Sequence, residues 1–159
     1  MASGTLVASR VEFTVLGKPA PQGSKTVGSS SSGRRFVRED NPATAPWKAT
    51  VAAAGRDAFE AVTRTDDGLL AGPLRLRVVF VFPRPAAHFG TGRNQGRLKP
   101  SAPLYCPTRP DLDKLLRAVG DALTGVVFRD DVQLVRVEAE KHYGEPPCAH
   151  VLVEELARG

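Results

Sequence analysis

The stretch RPDLDKLLRAVGDALTG, residues 109–125, decides the fold, because residues 111–125 within it predict a helix with one apolar face and one charged face. The apolar side chains recur at helical spacing and form a stripe that must be buried: Leu112, Leu115, Leu116, Val119 and Leu123. Segments of alternating apolar and polar residues lie before and after this helix, and they predict a sheet that covers it. We therefore predict an α/β (α+β) fold, a two-layer sandwich of a mixed β-sheet and two main helices.

The strands of this sheet are predicted from alternating segments at residues 11–17, 74–82, 132–143 and 149–156. The second segment becomes apolar at every position toward its end, which is typical of a strand buried on both faces. The last two segments flank a turn at residues 144–147 and are predicted to pair as a hairpin. The other main helix is predicted to be capped by Thr44 and to have Pro46 in its first turn. Its apolar face is predicted to be Trp47, Val51, Ala54, Ala58 and Val62.

Length and composition predict one intracellular domain. The 159 residues fit a single core, and we expect a disordered tail at residues 1–10 followed by one domain at residues 11–159. The longest apolar run is far below the roughly 20 residues that a membrane-spanning helix needs. The first ten residues lack the pattern of a signal peptide. In a reducing cytoplasm, Cys106 and Cys148 are expected to be free thiols.

The charge of the chain predicts an anionic partner. Lys and Arg outnumber Asp and Glu by 22 to 17, which gives a net charge of +5 and favours nucleic acid or another anionic surface. The positive charge is concentrated in two predicted basic loops, residues 18–38 and residues 83–110, and the second contains no acidic residue. The candidate DNA-binding residues are Lys18, Lys25, Arg34, Arg35, Arg84, Arg93, Arg97, Lys99, Arg109 and Lys114.

Against this basic background the acidic side chains are clustered. Four aspartates lie close together in the sequence: Asp111, Asp113, Asp130 and Asp131. If the start of the following strand lies near the start of the helix, their carboxylates converge and repel one another. A divalent cation offsets such repulsion, and Mg²⁺ accepts carboxylate oxygens while keeping several waters. Each aspartate of the helix also has a simpler explanation: Asp111 as a helix cap, and Asp113 as a negative charge that stabilises the positive end of the helix dipole.

The charged face of the helix carries a second pattern. Asp113, Arg117 and Asp121 follow one another at i, i+4 spacing and therefore lie in one row. An arginine beside a metal-binding carboxylate is suited to stabilise the charge of a phosphate undergoing attack. The alternative is a solvated row of surface ion pairs that contributes little.

Three segments together resemble a known family. RPDLDKLLRAVGDALTG followed by FRDDVQL, with FTVLGKPAPQGSK near the start, resembles the RusA family of Holliday-junction resolvases, which are common in phages and prophages. The likeness covers residues 11–143. It implies a Mg²⁺-dependent endodeoxyribonuclease, with Mn²⁺ as a possible substitute, that acts in DNA recombination and repair. It also implies a homodimer in the cytoplasm, that of the host if a phage encodes the protein, which nicks two opposing strands of a four-way junction.

The resemblance also implies roles for individual residues. Three catalytic and metal-binding aspartates are implied, with a further acidic ligand beside the last of them: Asp111, Asp113, Asp131 and Asp130. Arg117 stands where the family commonly has a catalytic lysine, and Lys114 stands where an asparagine often follows the second aspartate. Arginine and lysine are not interchangeable at a tightly organised site. Either Arg117 or Lys114 therefore takes the basic role.

Two other functions stay open from the residues themselves. One is a non-catalytic architectural protein that binds branched DNA and uses its aspartates only as caps and turn residues. The other is a nuclease of broader specificity that acts on flaps or forks. Metal-dependent cleavage separates the first of these from the enzyme, and the choice of substrate separates the second.

Overall fold

The computed structural model describes residues 9–23, 25–39, 41–63 and 68–157. The elements are β1 (Arg10–Leu16), β2 (Lys25–Ser29), β3 (Arg35–Glu39), α1 (Thr44–Val62), β4 (Leu74–Phe82), α2 (Leu112–Leu123), β5 (Leu134–Tyr143) and β6 (Cys148–Glu155). Two helices and a mixed sheet confirm the predicted α+β class. Of the predicted tail, residues 1–8 lie outside the described part of the chain, and Arg10 already belongs to β1.

The main sheet has the strand order β1-β6-β4-β5. The β4 and β5 strands are parallel, whereas β6 is antiparallel to both β1 and β4. The predicted hairpin between the last two strands is therefore wrong, since β4 lies between them. Cys148 and Leu152 are buried on one face of β6, and Val151 and Val153 are buried on the other. A strand buried on both faces belongs inside a sheet, so the more exposed β5 occupies the edge.

The first basic loop is not irregular throughout, as residues 18–38 were expected to be. The β2 and β3 strands pair antiparallel in a separate small sheet. Their turn is closed by a hydrogen bond from the Ser30 amide to the Arg34 carbonyl, 2.9 Å long, and Gly33 adopts a φ of 78° that favours glycine. The hairpin was missed because serines and charged residues mask the alternation, and its apolar Val27 and Phe36 remain exposed.

Both helices lie against one face of the main sheet and against each other. The core is built on the largest fully buried side chains, among them Phe80, Phe128, Leu74, Leu76, Leu115 and Leu123. In α1 the buried face continues from Val51 through Gly55 to Phe59. The predicted continuation through Val62 is wrong, since Val62 is 58% exposed. The buried face of α1 passes through Gly55 to Phe59 and away from Val62, because Gly55, which has no side chain, is the point of close approach to α2.

The direction of α2 relative to β5 positions the site described below. The predicted apolar stripe is confirmed, since Leu115 and Leu123 are fully buried. At one end, the Lys141 Nζ of β5 donates to the Pro110 carbonyl, 2.9 Å away, just before α2 begins. At the other end, Gly120 of α2 lies against Leu134 at the start of β5. The helix and the strand are therefore antiparallel neighbours, so the end of α2 lies beside the beginning of β5.

Two smaller findings complete the fold. Cys106 and Cys148 are both free thiols and both buried. None of the helices in the described residues has the length and apolar character required to cross a membrane.

Candidate active site

A cavity of about 260 Å³ lies between α2 and the start of β5. Its polar lining comes from Asp113, Arg117, Asp121 and Asp131. Its apolar lining is Leu76, Leu116, Gly120, Leu134 and Val137. The four charged side chains thus border one cavity with an apolar floor.

The α2 helix supplies three of these side chains in a row. The i, i+4 spacing places Asp113, Arg117 and Asp121 along the same wall of the cavity, as predicted. With a rise of about 1.5 Å per residue, the row extends over about 12 Å. All three residues are exposed to solvent, while their neighbours Leu115 and Val119 are fully buried. The amphipathic pattern of α2 therefore fixes which way the row points.

The fourth acidic group comes from a tight turn before β5. Asp131 starts a single 3₁₀ turn, and Asp130 caps it by accepting a 3.0 Å hydrogen bond from the Val132 amide. The pKa of Asp131 is raised, first because a hydrogen bond with the Asp130 carboxyl favours the protonated form. Partial desolvation and the negative charges of Asp130 and Asp121 add to this effect. The turn therefore brings together carboxylates that repel one another.

The two acidic segments meet at a different place from the one predicted. We expected the start of the strand near the start of the helix, but Asp131 lies near Asp121, in the last turns of α2. The reason is the short connection between α2 and β5, which makes them antiparallel neighbours. Asp111 and Asp130 do not line the cavity. Asp111 occupies the N-cap position without a capping hydrogen bond, and its carboxylate lies 3.8 Å from Lys114 Nζ.

These positions also separate the two candidates for the basic role. Arg117 lines the cavity, whereas Lys114 faces Asp111 outside it. Sequence reasoning missed a third cation, Lys48 of α1, whose Nζ lies 3.6 Å from Asp121 Oδ2. No local pattern marks Lys48, because its approach to the site depends on the contact between α1 and α2.

The carboxylates are chemically suited to a hard divalent cation. Across residues 9–23, 25–39, 41–63 and 68–157, no three His, Cys, Asp or Glu side chains lie close enough together to hold a metal ion. Mg²⁺ does not require such a cage, since it usually binds one or two carboxylates and completes its shell with waters and substrate phosphates. The negative charges of Asp130 and Asp121 near Asp131 are of the kind that a cation offsets. Asp131 and its neighbours therefore fit Mg²⁺.

The predicted DNA-binding residues are mostly placed on the surface. The exposed ones are Lys18, Arg34, Arg35, Arg93, Arg97, Lys99 and Arg109. The side chain of Lys25 lies outside the described part of the structure. Arg84 has a structural contact instead: its Nη1 donates to the Pro103 carbonyl, 2.6 Å away, and its guanidinium lies 5.6 Å from the centre of the Tyr143 ring. Arg84 thus anchors the second basic loop to the sheet.

Comparison with known proteins places this chain in a family. Residues 17–154 match the family described as Endodeoxyribonuclease RusA, and the match includes all four charged residues of the cavity. The uncharacterized protein YqaN of Bacillus subtilis (strain 168) is 28% identical over 152 residues, which cover 92% of this chain and 97% of that protein. The resemblance stated from the sequence is confirmed. The chain therefore belongs to the RusA family of endodeoxyribonucleases.

Proposed function

We propose that this endodeoxyribonuclease is a Mg²⁺-dependent enzyme that resolves four-way DNA junctions by paired symmetric nicks. The observation that carries the proposal is the cavity in which Asp113, Arg117 and Asp121 of α2 face Asp131. Family membership supports cleavage of DNA, and the carboxylates support the metal requirement. Recombination and repair are the processes in which such an activity acts.

The carboxylates of the cavity have the role of holding the cation. The proposed ligands are Asp131, with Asp121 beside it, and Asp113 further along the same wall of the cavity. Asp130 holds the turn. Asp111, at the N-cap of α2, lies outside the cavity and is proposed to contribute once DNA is bound. Mg²⁺ bound there would supply an activated water and neutralise charge on the phosphodiester. Asp131 and Asp113 would hold it in the cavity that Arg117 also lines.

Arg117 is proposed to bind the phosphate that is cut. Its guanidinium is planar, always charged and able to donate two parallel hydrogen bonds to phosphate oxygens. It lies between Asp113 and Asp121 in the row and lines the same cavity as both of them. Charge that develops on the phosphate during attack is then stabilised by a group already in place.

The remaining basic residues are proposed to hold the DNA arms. Seven of the predicted cations are exposed, and those of the second basic loop have no acidic residue within the loop to pair with them. Contacts between Lys or Arg and phosphates release counterions, so binding is expected to weaken steeply with salt. A homodimer is proposed because a four-way junction is nearly two-fold symmetric, and two matched nicks need two matched sites.

The test is cleavage of a synthetic four-way junction beside a linear duplex of the same sequence, with Mg²⁺ or with EDTA. Wild-type protein is expected to nick two opposing strands of the junction only with Mg²⁺, and Asp113→Asn is expected to lose cleavage but keep binding. The matched control is Asp57→Asn, which changes an exposed aspartate of α1 outside the cavity and should cut normally.

Other outcomes would identify the alternatives. Tight junction binding with no cleavage under any metal condition would refute the catalytic proposal and support an architectural DNA-binding protein. Equal cleavage of flaps, forks and four-way junctions would support the broader nuclease. Cleavage that survives Asp113→Asn would show that the reaction does not depend on this cavity.

A further inference from the structure

We infer that Gln133 is the positioning residue that fixes Asp131 in the cavity. This inference deepens the proposed function and rests on it. We define the acidic turn as residues 129–133, which contain Arg129, the Asp130 and Asp131 pair, and Gln133 itself. Sequence reasoning gave no role to Gln133, because it is an uncharged residue between a turn and a strand.

The Gln133 side chain uses all of its hydrogen-bonding capacity on the backbone. Its Oε1 accepts from the amides of Arg129 and Asp130, at 3.0 Å each. Its Nε2 donates to the carbonyls of Leu70 and Gly72, at 2.9 and 3.0 Å. A primary amide can donate two hydrogen bonds and accept two. The orientation of the amide is set by chemistry, since backbone amides require the oxygen and carbonyls require the nitrogen.

These four bonds tie the acidic turn to the sheet. Leu70 and Gly72 belong to the segment that leads into β4, and that segment is itself held. The Leu70 amide donates to the Val127 carbonyl at 2.9 Å, and the Gly72 amide donates to Glu155 Oε1 of β6 at 3.3 Å. The turn is thereby linked through Gln133 to the segment before β4, and through that segment to the end of β6.

An uncharged side chain such as that of Gln133 is suited to hold the acidic turn. The turn places Asp131 close to the carboxyls of Asp130 and Asp121, so the hydrogen bonds that hold its backbone act against charge repulsion. A lysine or arginine here would hold the carboxylates but would also compete with a divalent cation for them. Gln133 holds the backbone amides of Arg129 and Asp130 and makes no hydrogen bond to a carboxylate. It therefore sets the geometry without neutralising the charge.

The experiment compares Gln133→Met with wild type. Methionine keeps the length of the side chain and removes all four hydrogen bonds. The stability control is Phe59→Leu, which removes buried volume from α1 and leaves the acidic turn intact. Three readouts are measured: binding of Mg²⁺ alone by calorimetry without DNA, hydrogen exchange of the Arg129 and Asp130 amides, and the kinetics of junction cleavage.

Gln133→Met is expected to weaken Mg²⁺ binding by about tenfold or more, as removal of groups that orient metal ligands does. The Arg129 and Asp130 amides should lose protection, the Mg²⁺ concentration for half-maximal cleavage should rise, and the KM for the junction should stay unchanged. Gln133→Glu, which places a carboxylate against two carbonyls, should have the same direction of effect. Phe59→Leu should lower thermal stability and leave metal binding and amide exchange at the turn as in wild type.

Unchanged Mg²⁺ affinity in Gln133→Met, in a protein whose wild type binds Mg²⁺ and cuts junctions, would overturn this inference and leave the proposed function standing. An equal loss of metal binding in Phe59→Leu would also overturn it, because general destabilisation would then explain the effect. If wild-type protein neither binds Mg²⁺ nor cuts, the proposed function fails, and the role of Gln133 toward a metal fails with it.

Discussion

Replacing Gly55 by alanine tests whether the contact between the two helices is as close as the structure has it. Gly55 lies in the buried face of α1. A Cβ at this position would lie 2.6 Å from Leu123 Cδ2, 3.3 Å from Phe13 Cζ and 3.4 Å from Val127 Cγ2. Leu123 and Val127 are fully buried, so neither can rotate into solvent to make room. The added methyl group must therefore displace α1 from α2 or force Leu123 out of its rotamer.

Two opposing contributions decide the effect on stability. Alanine is favoured over glycine in a helix by about 1 kcal/mol. Overpacking a well-packed core costs about 1–3 kcal/mol. Because the nearest contact is far below van der Waals distance, we expect the clash to exceed the gain and leave a net loss of about 1 kcal/mol, or about 2–4 °C in Tm. Activity should fall as well, since α2 carries the charged row of the cavity.

The assay is urea denaturation of four variants. Ala53→Gly, at an exposed position of the same helix, measures the propensity contribution alone and should cost about 1 kcal/mol. Leu123→Ala removes the clashing atom, and in that background Gly55→Ala should become stabilising. A rise of about 1 kcal/mol for Gly55→Ala in otherwise wild-type protein would refute the reasoning, because it would show that the helices leave room for a methyl group.

Two further predictions concern ionisation and thiols. A proton competes with the proposed cation for Asp131, so cleavage should fall as the pH drops through the raised pKa of Asp131. Asp130→Asn removes the first cause of that shift and should move the acid limb of the pH–rate profile to lower pH. An acid limb that does not move would belong to another group. Cys106 and Cys148 are buried and free, so a thiol reagent should react slowly with the native protein. In denaturant without reductant it should modify two thiols per chain, and fewer than two modified thiols would reveal a disulfide.

Local patterns predicted the elements of this fold but not all of their pairings. The α2 helix and the β4 strand were predicted to within two residues of their bounds, because helical and strand periodicity are properties of the segment itself. The partner of β6 was not predicted correctly, since a short turn favours a hairpin locally while burial of both faces places the strand inside the sheet. The β2 and β3 strands escaped notice because their hairpin buries few apolar side chains.

For the candidate site too, local patterns predicted some features, and features that depend on tertiary packing were not predicted. The row of Asp113, Arg117 and Asp121 was predictable, because helix geometry alone places i, i+4 residues together. The approach of Asp131 was predicted, but to the wrong end of α2, since that depends on how the chain returns to the sheet. Lys48 was not predicted, because it reaches the site only through the packing of α1 on α2.

The antiparallel run of α2 beside β5 makes the site a trough rather than a point. The charged row extends over about 12 Å, and successive phosphates of one DNA strand are about 3.4 Å apart along the duplex axis. Because the strand winds around that axis, its neighbouring phosphates are further apart than the axial rise, and the trough is long enough to lie along about two or three consecutive phosphates of a single strand. Chemical changes to the DNA backbone one or two nucleotides from the cut would then alter the rate of cleavage, even where no base is contacted.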